Sequence, residues 1–109
     1  MMTETELLAL VGALPECERS SHFGTMDFRV RNKIFATHPR PDLLNLNLTH
    51  EQQELLVQRE PTIFSALLNK WGEKGWTSTR IAALDEPTAR SALRMAWANV
   101  APKSLRERN

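Results

Sequence analysis

The sequence is almost without cysteine. Cys17 stands alone, which excludes an internal disulfide and any cysteine-cluster zinc or iron–sulfur site. No apolar run approaches the roughly 18 residues that a membrane-spanning helix needs. A basic N-terminus is missing too: Met1-Met2-Thr3-Glu4-Thr5-Glu6 is acidic where an export signal is basic. Glycine and proline, at four and six, are too sparse for a hinge between domains, and there are no repeats or low-complexity tracts. At 109 residues the chain supports one core, since a second would need roughly 50 more. The expectation is a single cytoplasmic domain over residues 1–109, with no membrane partner.

What is present is ordinary in bulk and uneven in detail. Hydrophobic residues make up 41% and charged residues 25%, enough apolar content for a folded core. The net charge is +1, and the pI of about 8.0 is below the roughly 9 of a dedicated nucleic-acid binder. The charges come in blocks. Residues 1–18 hold four Glu and no Lys or Arg. Residues 19–41 hold Arg19, Arg29, Arg31, Lys33 and Arg40 against Asp27 alone, and residues 42–60 are acidic again. Such alternation predicts either an electrically polarised surface or simply solvated faces.

Three segments carry helix signals. Thr3 and Glu6 have capping-box spacing before Leu7, Leu10, Val11 and Leu14, and Pro15 stops the run. Thr49 and Gln52 repeat that spacing, with Leu55 and Leu56 as a short apolar face before Pro61. Asp85 caps a third helix with Pro87 in its first turn. There Ala89, Ala92, Leu93, Ala96, Trp97 and Val100 form an i, i+3, i+4 stripe, and Pro102 ends it.

The strands alternate with period two. Phe28-Arg29-Val30-Arg31, a turn at Asn32-Lys33 and Ile34-Phe35-Ala36-Thr37 predict a tight hairpin over residues 28–37. Leu44, Leu46 and Leu48 fall on one face of the next strand, with Asn45 and Asn47 on the other. Ser20–Phe23 is a further short strand ending at Gly24. Trp76–Ile81 is rich in β-formers and follows Gly72 and Gly75, which suit a turn. Short connections between successive strands predict an α+β domain: an antiparallel sheet of about five strands with helices on one face.

Enzyme signatures are mostly missing. His22, His38 and His50 fall in three different elements, and no glycine-rich loop has the spacing of a phosphate cradle. Cys17 lies between Glu16 and Glu18, whose negative charge suppresses a thiolate. The expectation is a protein that is not an enzyme and carries no metal or cofactor. Two segments suit binding. In Asn69-Lys70-Trp71-Gly72-Glu73-Lys74-Gly75-Trp76, indoles and lysines interleave, as stacking on bases and pairing with phosphates require. Trp76, at a strand start, is expected in the core, whereas Trp71 suits either core or site. In the hairpin, Phe28 and Val30 face inward, sending Arg29 and Arg31 to the solvated face with Lys33 beside the tip. A solvated strand edge guarded by charge has the same pattern.

Three local patterns and their order resemble the MmcQ/YjbR-like family of small bacterial proteins. They are Phe28-Arg29-Val30…Lys33-Ile34-Phe35-Ala36, the Leu44–Leu48 strand leading into a helix, and Asn69-Lys70 followed by Gly75-Trp76-Thr77. The likeness runs from the first helix to Trp97-Ala98-Asn99-Val100-Ala101-Pro102-Lys103. It implies a curved antiparallel sheet with helices against it, similar to secretion-chaperone-like and CyaY-like domains. It also implies non-catalytic binding of double-stranded DNA through a double-wing surface of the sheet. Carried onto this chain, that surface comprises Arg29, Arg31, Lys33, Lys70, Trp71, Lys74 and Arg80. The alternative is a chaperone-like or regulatory module that docks a protein through the sheet or the Trp71 loop, since Trp and Arg also suit protein interfaces. A monomer or weak homodimer is expected in either case.

Overall fold

Side-chain caps open the helices where the sequence places them. In the computed structural model, which describes residues 1–108, α1 spans Glu4–Gly12. Thr3 Oγ1 accepts from the Glu6 amide at 3.1 Å, and the Glu6 carboxylate accepts from the Thr3 amide at 2.9 Å. Thr49 and Gln52 form the same reciprocal pair before α2, His50–Arg59. A four-residue helix, α3, covers Lys70–Glu73. Asp85 accepts from the Thr88 amide at 2.8 Å and starts α4, Glu86–Val100; α5 follows at Lys103–Arg108. No helix among the described residues is long and apolar enough to cross a membrane.

Six strands form one antiparallel sheet: β1 Glu18–His22, β2 Thr25–Val30, β3 Lys33–Arg40, β4 Leu43–Asn47, β5 Phe64–Ala66 and β6 Trp76–Arg80. Their spatial order is β1-β2-β3-β4-β6-β5. The domain is therefore α+β as expected, with six strands rather than about five. The extra strand is β5, three residues long with only Phe64 buried, too short to show an alternation.

The first two hairpins turn on pairs of residues with positive φ, Phe23-Gly24 and Arg31-Asn32, as type I′ turns require. The second turn therefore sits one residue earlier than the expected Asn32-Lys33. Arg31 is at the tip instead of on the strand, and Lys33 begins β3 opposite Val30. A bulge then shifts the register: Phe28 pairs with Ala36 but Arg29 with Ile34. Phe35 is the extra residue, and both it and Ala36 are buried.

The core lies between the sheet and the helices. Phe28, Val30, Leu44, Leu46 and Leu48 meet Leu7 and Val11 of α1 and the predicted stripe of α4. Trp97 is fully buried, its indole N–H donating to the Pro15 carbonyl at 2.8 Å while the Arg94 guanidinium lies 4.7 Å from the ring centroid. Truncating an indole so placed costs about 3–5 kcal/mol. In α2 the structure departs from the sequence reading. Leu56 is buried but Leu55 is exposed, and the second inward residue is Gln53.

Candidate functional site

Strand parity that sends Phe28, Ala36 and Leu46 under the helices sends their neighbours to the opposite, open face. Following cross-strand partners from edge to edge gives Ser20, Asp27, Thr37, Asn45, Ser78 and Ser65, one from every strand. The row is small and polar throughout. His22, on edge strand β1, and Leu67, just past edge strand β5, line a single cavity of about 430 Å³ together with Thr37, Asn45, Trp71 and Trp76. Residues from opposite edges share one cavity because the sheet curls across this face.

The wall at His22 is backed by an ion cluster. Asp27 is completely buried, and its carboxylate accepts from Arg29 Nε at 2.8 Å and Nη2 at 3.0 Å, with His22 Nδ1 at 2.7 Å. The Arg29 guanidinium, helped by His22, holds the Asp27 carboxyl below its ordinary range against the cost of burial. An ionised carboxylate only accepts, so the hydrogen lies on His22 Nδ1 and leaves Nε2 as the ring's second polar atom. Arg29 also reaches Asn32 Oδ1 through Nη1 at 3.0 Å. On the floor, Asn45 Oδ1 is buried with no hydrogen-bond partner among the described residues.

The other wall is built by α3. Asn69 Oδ1 accepts from the Trp71 and Gly72 amides, capping the turn. Gly72 and Gly75 allow close approach of backbones. A Cβ at Gly72 would sit 1.8 Å from the Leu67 carbonyl oxygen, and one at Gly75, where φ is +114°, 1.9 Å from that of Leu48. From α2, the buried Gln53 amide donates to the carbonyls of Gly72 and Trp76, both at 3.0 Å. Trp71 thereby stands 57% exposed, edge-to-face with Trp76 at 6.4 Å, and Lys74 Nζ lies 5.3 Å from its ring centroid. Trp76 is not core as expected. In β6 it is Thr77 and Thr79 that turn under the helices, so Trp76 and Ser78 face the cavity side.

The seven candidate residues do not form one patch. Arg29 is on the open face but bound to Asp27. Arg31, at the hairpin tip, makes a two-point contact with the Glu16 carboxylate at 2.9 and 3.2 Å. Lys33 lies opposite the inward-facing Val30, so it leaves the hairpin on the helix side. Arg80 pairs with Leu43 at the far end of the sheet from Trp76, near Asp42, whose carboxyl is lowered chiefly by Arg40 and slightly by Arg80. Lys70, Trp71 and Lys74 remain together on the α3 turn, where Trp71 lines the cavity and Lys74 lies against its ring. Sequence reasoning missed His22, Asp27, Asn45 and Gln53. The polar side of the Leu44–Leu48 alternation marked Asn45 as outward, but only the fold puts it in one cavity with His22.

A family model described as YjbR matches residues 12–99 of the chain. The crystal structure of Deinococcus radiodurans protein DR2400, described as a DUF419 domain, is similar with a TM-score of 0.77 at 22% sequence identity. That similarity covers 99% of this chain and 88% of the other, and it extends the shared fold over essentially the whole molecule. No curated protein matches the chain.

Proposed function

The chain belongs to the YjbR family, and from that premise we propose that it is a non-catalytic DNA-binding protein working through the open face of its sheet. The observation that carries this reading is the α3 rim. Lys70 and Lys74 flank the exposed Trp71, and neither has a carboxylate partner among the described residues. Free lysines release counterions on meeting phosphate, whereas Arg29 and Arg31 would first have to leave Asp27 and Glu16. Phosphate contact therefore belongs to α3 more than to the hairpin. The chemistry asked of the site is recognition only: the Cys17 thiol, for example, is pushed up by burial, away from nucleophilic duty.

Fluorescence anisotropy of labelled duplex and single-stranded DNA, titrated at several salt concentrations, tests the reading. Binding should weaken steeply with salt. Lys70→Ala combined with Lys74→Ala should lower the slope of log K against log salt by about 2, close to 1 per lost contact. Arg31→Ala should change it little. Salt-insensitive binding, or none at low salt, would retire DNA as the partner.

A second reading has its own observation. Phe23, Leu68 and Trp71 are exposed apolar residues at the borders of the same face. A protein docked there would cover them, and its binding would be insensitive to salt.

A further inference from the structure

The floor of the open-face cavity holds an acceptor that the fold does not use. Asn45 Oδ1 is buried without a donor, and its side chain makes no hydrogen bond to any described residue. The other two asparagines on this side have structural tasks. Asn47 Nδ2 donates to the Ile34 carbonyl at 3.3 Å, and Asn69 caps α3. Leaving a buried acceptor unpaired is costly, and native proteins do it rarely. Asn45 thus weakens the free protein while shaping the cavity floor.

A second acceptor borders the same cavity. His22 donates its Nδ1 hydrogen to Asp27, which Arg29 fixes from the other side, and in the neutral form of the ring Nε2 is left as an acceptor. Two acceptors call for a ligand rich in N–H donors. The indoles of Trp71 and Trp76, perpendicular to one another, form an apolar corner with a ring face open to stacking, which calls for a planar one. The volume, about 430 Å³, is in the range of small-ligand sites. Lys70 and Lys74, beside the aromatic wall, call for an anionic group outside the cavity.

We infer that this cavity receives a nucleobase bearing an exocyclic amine, with its phosphate directed to the α3 lysines. Asn45 Oδ1, brought to the cavity surface by rotation of its amide, and His22 Nε2 accept from the base, and one of the two indoles stacks on it while the other meets its edge. The inference deepens the DNA-binding reading of the same face and rests on it only for the origin of the base. An unpaired base of a strand and a free nucleotide present the same chemistry.

The test is tryptophan fluorescence of the full chain titrated with AMP, CMP, UMP and ribose 5-phosphate, and with single-stranded and duplex oligonucleotides. AMP and CMP should quench saturably, UMP more weakly, and ribose 5-phosphate not at all. Asn45→Leu removes the acceptor at a position with no bonding task, so it should fold as the wild type does by circular dichroism and bind AMP roughly tenfold more weakly. Trp71→Ala, at an exposed position, should weaken binding as well. Equal AMP affinity in wild type and Asn45→Leu, or no saturable quenching by AMP or CMP at millimolar concentration, would overturn the inference. Oligonucleotide binding that survives Asn45→Leu unchanged would sink the base site and leave DNA binding standing. Nucleotide binding that depends on Asn45, without binding of either oligonucleotide, supports the base site and removes the DNA reading.

Discussion

Asp27 shows what a single residue does to this surface. It is the only acidic residue in the basic stretch of residues 19–41, and among the described residues it is the one fully buried carboxylate, satisfied by Arg29 and His22. Its carboxyl is held below its ordinary range chiefly by Arg29. A depressed folded-state value stabilises the protein above the unfolded value of about 3.9 and loses that contribution as pH falls through the folded one. Urea unfolding should therefore show the native state weakening below about pH 4. Asp27→Asn should cost about 1–3 kcal/mol at pH 7 and flatten the acid limb, because the charge-assisted bonds are already gone. An acid limb unchanged in Asp27→Asn would mean that other carboxylates set it. None of this was visible in the sequence. Asp27 stood beside Phe28 as one more hydrophilic residue, and only pairing with Thr37 across β3 and with Ser20 across β1 turns it into the open face.

Among elements, those whose signal is local were legible and those made by contact were not. Thr3, Thr49 and Asp85 cap helices through atoms within three residues, and Leu44, Leu46 and Leu48 repeat with the strand's own period. Trp76-Thr77-Ser78-Thr79-Arg80 has no apolar alternation, so its inward face, Thr77 and Thr79, had to come from the register with Leu46 and Leu44. The helix α3 is the extreme case. Four residues make no helix by propensity. What holds it is Asn69 at its start, Gln53 reaching across from α2, and glycines where Leu67 and Leu48 leave no room for a Cβ. Gly72→Ala should consequently cost about 1–3 kcal/mol by overpacking and should shift tryptophan emission as Trp71 and Trp76 move apart. A stable variant with unaltered emission would mean that the backbone gives way without moving the aromatic wall.

At the scale of the molecule, the blocks of charge resolve into neutralisation rather than polarity. The acidic first segment folds onto the basic second one: Glu16 meets Arg31 at 2.9 Å, Glu4 meets His38 at 2.7 Å, and Glu18 lies opposite Arg29. An exposed pair such as Glu16–Arg31 contributes about 0–1 kcal/mol to stability, but it removes a cation from the pool available to a partner. The sequence displays the number of arginines and not which are engaged, so it weighted the hairpin and α3 alike. Helices α1 and α4 gather against one face of a curled sheet, and the opposite face carries a polar floor and the short helix α3 with its exposed indole and lysines. The most direct measurement is amide and indole chemical-shift mapping of the labelled protein during titration with a short oligonucleotide. The expected shifts fall at Lys70–Lys74, at the indole N–H groups of Trp71 and Trp76, and at the Asn45 side chain. Shifts confined to α1 and α4, or to the hairpin tip at Arg31 and Asn32, would contradict an open-face binding site.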